Sequence, residues 1–203
     1  MMRYPEFFDA APVITMRDPL AEFLGAMQDG LMEYRYANVV ALAGHSCPTV
    51  AAAFLMTRAA LNTLYPDEVP RRGDIRVAVS GAQYQGTVGV TANVAGLITG
   101  AAGDGGFKGI GGHFKRCELL AFDAELNAEM SFTRADNGMR VEVSADLSPV
   151  PMDARVRELL PLCLGGSASP SETGEFRRLW QERVRRLLLD HKDDPAVIRV
   201  RVH

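Results

Sequence analysis

The spacing of apolar and polar residues changes along the chain, and each change predicts an element. Residues 49–65 contain no glycine or proline and are rich in Ala and Leu. Their larger apolar residues recur at helical spacing, which predicts a long, largely buried helix. Between residues 75 and 79, Ile and Val instead alternate with Arg and Ala, a period typical of a strand. The chain therefore switches from a helix to a strand across a short polar connection.

Weaker patterns precede the long helix. Residues 1–20 contain three prolines, which indicate an irregular lead-in. Asp18 and Pro19 form a helix-start signal, and an apolar stripe continues from there to Met27. Residues 34–43 predict a second short helix that leads directly into the segment Gly-His-Ser-Cys-Pro.

Glycine punctuates residues 81–112, where charge is sparse and the pattern is ambiguous. Propensity alone favours a strand over residues 87–94. Residues 117–124, 128–134 and 139–146 then predict three β segments. An Asp-Asn-Gly turn signal separates the last two of them.

The C-terminal part predicts a helix from about residue 150 to the Gly-Gly pair at 165–166. A second helix follows over residues 171–191, and residues 197–202 alternate as a half-exposed strand. We therefore expect one α+β domain over residues 1–203. Its core, about residues 20–146, holds an antiparallel or mixed sheet packed with the long buried helix, and about residues 150–203 form a helical C-terminal extension.

Composition narrows the class of function. The chain has 203 residues and a net charge of −3, so it lacks the basic surface of a nucleic-acid-binding protein. No apolar run has the length of a membrane span, and the N-terminus lacks the order of a secretory signal. Three widely spaced cysteines do not form a disulfide framework, which favours a reducing, cytoplasmic location.

The segment Gly44-His45-Ser46-Cys47-Pro48 contains the clearest candidate chemistry. Imidazole and thiolate are good ligands for Zn²⁺, and cysteine is also a strong nucleophile. Pro48 suits the first turn of a helix, which would place Cys47 near the N-cap and in the positive field of the helix dipole. The alternative is a buried structural cysteine beside a core or capping histidine.

A metal needs further ligands, and His113, which follows the glycine-rich segment, is the leading candidate. His45, Cys47 and His113 would give three protein ligands and leave one position for water, the pattern of catalytic zinc. His113 also fits an ordinary surface loop.

Other residues fit structural roles better. Cys117 and Cys163 are expected in the core. The segment around Asp104 and Lys108 resembles a phosphate-binding loop but fits no nucleotide-binding fingerprint, so we expect substrate gating or close backbone packing there. Participation of Cys117 or of residues 103–112 in the site stays open.

The motif Gly44-His45-Ser46-Cys47-Pro48 resembles the Gly-His-x-Cys-Pro signature of the FmdE-like family, which is named after formylmethanofuran dehydrogenase. The resemblance extends over roughly residues 35–123. It implies an α+β core, a metal site that uses the signature His and Cys, frequent dimers, and a helix over residues 93–99.

The chain departs from this family in two places. The positions near Val90 and Asn93, where the family often has a Cys and an Asp, hold no good metal ligand. The C-terminal third has no pair of cysteines for the zinc finger that many members carry. The chain thus resembles a divergent, core-only member.

The sequence therefore predicts a cytoplasmic, dimeric metal-binding protein with zinc at His45, Cys47 and either His113 or a partner-chain residue. A small molecule is its expected substrate if it is an enzyme. The alternatives are a redox or nucleophilic enzyme that uses the thiolate of Cys47, and an accessory module of a redox complex.

Overall fold

The computed structural model describes residues 4–203 and has an α+β fold, as the sequence predicts. Its strands are β1 (Ile14–Arg17), β2 (Leu31–Tyr34), β3 (Ile75–Val79), β4 (Leu120–Ala121), β5 (Met130–Arg134), β6 (Arg140–Ala145) and β7 (Ile198–Val202). Its α-helices are α1 (Pro19–Phe23), α2 (Tyr36–Ala43), α3 (Pro48–Leu64), α4 (Val88–Thr99), α5 (Ala154–Leu164) and α6 (Pro170–Arg185).

Five strands form the main sheet in the order β4-β3-β5-β6-β7. Only the β3–β4 pair is parallel, so the sheet is mixed. Register places Val77 opposite Phe132, and Phe132 opposite Val141. These three side chains are buried, and they make one row of the core across the sheet.

Helix α3 is the centre of the core. Its large apolar residues Phe54, Leu61 and Leu64 are buried, and the helix packs against β6, β7 and α4. The turn that precedes Pro48 therefore leads directly into a buried helix.

The C-terminal extension is joined to the same core. Helices α5 and α6 pack against each other, and α6 continues into a π-helical segment, Arg186–Asp190. Leu187 and Leu188 of that segment are buried in the main apolar cluster. The last strand, β7, then pairs with β6.

Residues 88–94 are helical and Thr87 is their N-cap, so the strand that propensity favours over residues 87–94 is wrong. They lie in α4, whose buried residues Thr91, Val94, Ala95 and Ile98 recur at helical spacing. Packing of this stripe against α3 outweighs the β-propensity of its valines and threonines.

The predicted strand over residues 117–124 is also wrong for most of its length, since only Leu120 and Ala121 are in β4. Glu118 and Asp123 have φ angles of 60° and 55°, and no strand continues through such a conformation. Cys117 is buried, as expected.

The N-terminal region is more regular than its prolines suggest. Residues 14–17 form β1, which pairs with β2 in a separate two-stranded antiparallel sheet. The first helix, α1, has five residues and ends well before Met27. Predictions for residues 1–3 lie outside the described residues.

Candidate functional site

The turn over residues 44–48 links α2 to α3. Gly44 ends α2 with a φ of 73°, a left-handed conformation that glycine adopts without a steric cost. Its N–H donates to the carbonyl oxygen of Val40. Pro48 then starts α3, because proline has no N–H to leave unpaired in the first turn.

Cys47 is the N-cap residue of α3, as the sequence predicts. The backbone N–H of Val50 donates to Cys47 Sγ over 3.5 Å. The cysteine is half-buried. Its sulfur therefore faces the positive end of a helix dipole while one side remains accessible, an arrangement that suits a thiolate or a metal ligand.

His45 is exposed, and its ring is oriented by a short contact. Nδ1 lies 2.9 Å from the carbonyl oxygen of Ala43. A carbonyl oxygen only accepts, so Nδ1 carries the hydrogen of this bond. In the neutral ring, Nε2 is then left free to accept a proton or to bind a metal.

Helix α6 holds the middle of the turn through two neighbouring side chains. Trp180 Nε1 and Gln181 Nε2 both donate to the carbonyl oxygen of Ser46, over 3.0 and 3.2 Å. Ser46 Oγ donates to Gln181 Oε1 over 2.9 Å. The helical extension therefore fixes the backbone between His45 and Cys47.

Tyr36, the first residue of α2, also belongs to this network. Its hydroxyl lies 3.1 Å from Ser46 Oγ. Burial raises the pKa of Tyr36 well above its ordinary value, so the phenol stays protonated. Because the only hydroxyl hydrogen of Ser46 is donated to Gln181, the Tyr36 hydroxyl is the donor in this bond.

A cavity of about 470 Å³ opens beside the turn, and both His45 and Cys47 line it. Its other walls come from the segment after β6 and from α5 and α6. Most of them are apolar: Leu147, Met152, Val156, Leu160, Leu179 and Trp180. Arg183 is the one charged side chain among the lining residues, so the cavity is an apolar chamber with a cation in its wall.

His113 does not line the cavity that His45 and Cys47 share. It belongs to a tight turn in which the backbone N–H groups of Ile110 and His113 each donate to the other's carbonyl oxygen, over 2.9 Å. Its exposed side chain lines a different cavity, of about 340 Å³, together with Arg71 and Asp74. One chain therefore brings His45 and Cys47 together, but His113 is not among the residues that line their cavity.

Within residues 4–203, no group of three or more His, Cys, Asp or Glu side chains is placed to hold a metal ion. Cys163, expected in the core, is half-buried on α5 and does not line the cavity beside the turn. Neither Asn38 nor Asn93, which could otherwise orient a His45–Cys47 pair, lines this cavity. Asn38 accepts a bond from the N–H of Arg35 at the start of α2. Asn93 is exposed on the wall of the cavity at the glycine-rich segment.

The glycine-rich segment borders a cavity of about 930 Å³, whose walls include residues 100–106, Arg72 and Arg116. Asp104 lines it, whereas Lys108 does not. Gly100 has a φ of 76°, a left-handed conformation that favours glycine, and a Cβ there would also lie 2.8 Å from Arg116 Nη1.

Both arginines of this wall pair with one buried carboxylate, and we call Asp18, Arg72 and Arg116 the Asp18 cluster. Arg72 Nη1 and Arg116 Nη2 donate to Asp18 over 2.8 and 2.6 Å. Burial opposes the ionisation of Asp18, but the bonds from the two arginines and from the backbone of Ala21 outweigh it and lower its pKa. The Asp18 cluster is therefore an internal ion network with its carboxylate ionised.

Sequence reasoning missed the roles of Trp180, Gln181 and Arg183. A signal for Trp180 exists, since the indole N–H of a partly buried tryptophan usually finds an acceptor. Nothing local in the sequence indicates that this acceptor lies 134 residues earlier, at Ser46.

Comparison of the sequence with protein-family models and with curated proteins finds no match. None of the helices in residues 4–203 is long and apolar enough to cross a membrane.

Proposed function

We propose that this protein binds Zn²⁺ through His45 and Cys47 at the cavity beside residues 44–48. The observation that carries the proposal is that both side chains line this cavity, with Nε2 of His45 left free by the bond from Nδ1 to the Ala43 carbonyl. Such an anchor on the second ring nitrogen is typical of histidines that ligate metals. The resemblance of residues 44–48 to the Gly-His-x-Cys-Pro signature adds support.

The described residues of one chain do not complete a zinc site, because zinc takes at least three protein ligands. The proposal therefore includes a second copy of the chain. His113 is the candidate that this copy supplies, since its side chain is exposed on a turn and free to meet a neighbouring molecule. We derive no catalytic step through the ion.

Metal analysis of the purified, untagged protein after growth with added zinc tests this proposal. We expect about one zinc per chain in the wild type and little in Cys47→Ser. Cys163→Ser is the matched control, because Cys163 is also half-buried and lies outside the cavity. Equal metal in all three proteins, or none in the wild type, contradicts the proposal.

Mixed dimers test where the third ligand comes from. His113→Ala alone, and the double variant His45→Ala/Cys47→Ser alone, should both lose the metal. A refolded mixture of the two still contains pairs in which one chain offers His45 and Cys47 and the other offers His113. Zinc recovered only in the mixture supports a shared site, and an H113A variant that keeps its zinc excludes His113.

A second candidate function, thiol chemistry at Cys47, is favoured by the Val50 N–H that donates to Sγ. A thiolate at this position needs no ligand from another chain. It predicts alkylation of Cys47 by iodoacetamide faster than that of Cys163, at a rate that a chelator leaves unchanged. If chelation instead accelerates alkylation, the sulfur was protected by a metal and the zinc proposal gains.

A further inference from the structure

Three neighbouring arginines, one of which lines the cavity beside residues 44–48, have no acidic partner. Arg183 is the one that lines the cavity. Burial lowers the pKa of Arg183, and the nearby charges of Arg186 and Arg157 lower it further. None of the three forms an ion pair with any residue from 4 to 203. We call Arg157, Arg183 and Arg186 the open arginine cluster.

The acidic residues of the same two helices are engaged elsewhere. Glu158 and Glu175 pair with Arg155, and Glu182 and Asp190 pair with Arg185. Two more carboxylates accept bonds at helix starts, Asp153 from Arg155 N–H and Glu172 from Ser169. Arg183 therefore has no carboxylate of α5 or α6 as its counter-charge.

Arg183 is held in place without being neutralised. Its Nε donates to the carbonyl oxygen of Val150 over 2.8 Å, and Nη2 donates to that of Leu147 over 3.5 Å. Both acceptors are neutral, so the guanidinium keeps its full charge. These bonds fix the guanidinium at the wall of a chamber that is otherwise mostly apolar.

The volume of the chamber, about 470 Å³, is in the range of small-molecule sites, roughly 300–1,000 Å³. Apolar walls favour a hydrocarbon group, and a fixed guanidinium pairs well with a carboxylate. A neutral apolar molecule would leave Arg183 without a counter-charge, and a small inorganic anion would leave the apolar walls unfilled.

We propose that this cavity binds an amphipathic carboxylate, with its apolar part among the residues of α5 and α6 and its carboxylate on Arg183. The inference deepens the proposed function, on which it rests for the identity of the reactive group, because the same bound molecule would lie beside His45 and Cys47. Its binding does not depend on whether that group is a metal or a thiolate.

Titration with decanoate, decan-1-ol and inorganic phosphate, all below the concentrations at which the first two aggregate, tests the chemistry. Trp180 is the only tryptophan and lines the cavity, so its fluorescence reports occupancy, and calorimetry gives the stoichiometry. We expect one decanoate per chain, weaker binding of decanol, and no saturation by phosphate. Equal affinities for decanoate and decanol overturn the proposal. The proposal is also wrong if none of the carboxylates tested, from hexanoate to dodecanoate and 1-naphthoate, gives saturable binding.

Substitutions then locate the bound molecule. Leu160→Trp fills the chamber from a half-buried position and should reduce decanoate affinity at least tenfold; Leu179→Trp does the same from α6 if the first variant does not fold. Arg157→Gln and Arg186→Gln should each weaken decanoate by about two- to fivefold and leave decanol unchanged. Arg178→Gln, an exposed position on α6 that lines none of the described cavities, should change neither.

The same titration on protein treated with a chelator separates this proposal from the zinc site. Decanoate that binds equally before and after chelation supports the cavity proposal even if metal analysis rejects the zinc. Decanoate that binds with unchanged affinity to both L160W and L179W has a different site, and the proposal is then wrong whatever the metal content.

Discussion

The molecule contains two groups of arginines beside cavities, and they differ in how their charge is balanced. In the Asp18 cluster, two guanidinium groups share one carboxylate that is only 4% exposed. In the open arginine cluster, three guanidinium groups share none. The first group joins Asp18 to residues that follow α3 and the glycine-rich segment, whereas the second includes Arg183 in the wall of the chamber next to His45 and Cys47.

The difference separates charge that serves the fold from charge that is free for a ligand. Arg116 is buried, and its Nε and Nη1 have no hydrogen-bond partner among the described residues, so it depends on Asp18 for its stability in the core. The open cluster has exposed or half-buried members, and Arg186 and Arg157 both repel Arg183. A surplus of one sign at a cavity is what an oppositely charged ligand would neutralise.

Removal of the Asp18 carboxylate should have the largest effect on the unfolding free energy. In Asp18→Asn the two guanidinium groups remain, but their negative partner is lost. Loss of one member of a buried ion network costs about 3–5 kcal/mol of unfolding free energy. Urea denaturation followed by circular dichroism measures this change.

Asp104→Asn is the control for that experiment, because Asp104 lines the neighbouring cavity but is exposed. Its effect should stay within about 0.5 kcal/mol. If D18N and D104N unfold at the same urea concentration, the Asp18 cluster is not a structural network.

Acid should weaken the same cluster, with a sign that follows from the pKa of Asp18. That pKa is lowered from the ordinary value of 3.8, so the unfolded chain takes up the proton first as the pH falls. The stabilisation by ionised Asp18 is complete above 3.8 and is lost as the pH drops from there through the folded-state pKa. The unfolding free energies of the wild type and D18N should therefore differ most near neutral pH and converge once the pH has fallen below the folded-state pKa of Asp18.

The comparison of these two variants also removes the other acids from the measurement. Other carboxylates, such as Asp136 and Asp146, also have lowered pKa values and contribute to the acid dependence of stability. Both proteins contain them, so their contributions cancel in the difference. A difference that stays constant down to the acid limit would show that Asp18 is not the titrating group.

Local sequence signals predicted the parts of this architecture that depend on nearby residues. The helix after Pro48, the N-cap position of Cys47 and the strands β5, β6 and β7 all agree with the pattern. Each is determined by period, capping and turn residues within about ten positions. The same local signals predicted that His45 and Cys47 lie close together, since only one residue separates them, and both line one cavity.

Features that depend on distant contacts could not be predicted. The carbonyl oxygen of Ser46 is bound by α6 across 134 residues, and Asp18 meets Arg116 across 98. Propensity alone missed the helix α4, which packs its apolar stripe against α3; only the family resemblance implied a helix there, over residues 93–99. The chamber itself exists only because α5 and α6 return to the turn, so its apolar walls and Arg183 gave no signal before the fold was known.

A smaller effect is expected where α6 contacts the turn. Trp180→Phe removes one donor to the Ser46 carbonyl but leaves Gln181 Nε2 bound to it. The loss of one hydrogen bond of a pair costs about 0.5–1.5 kcal/mol. Circular dichroism must follow unfolding here, since the variant has no tryptophan.

The double variant Trp180→Phe/Gln181→Ala sharpens that result. It leaves the Ser46 carbonyl without either donor, so its cost should exceed the sum of the single variants. Iodoacetamide should also modify Cys47 faster in the double variant, because the turn is no longer held on α6. Strictly additive costs would mean that the two side chains act on the turn independently.

The smallest change in unfolding free energy is expected in the open arginine cluster, and it should be an increase rather than a decrease. Arg157 lies in the first turns of α5, where a positive charge faces the positive end of the helix dipole, and it also repels Arg183. Arg157→Gln should therefore raise the unfolding free energy slightly, by up to about 0.5 kcal/mol. Because the repulsion is electrostatic, the gain should shrink at high salt.

Arg178→Gln, which removes the same charge, is the control and should give no such gain. If R157Q stabilises the fold and also weakens decanoate binding, the positive charge of Arg157 lowers stability while it favours the ligand. If R157Q destabilises the fold, Arg157 has a structural role like that of the arginines in the Asp18 cluster.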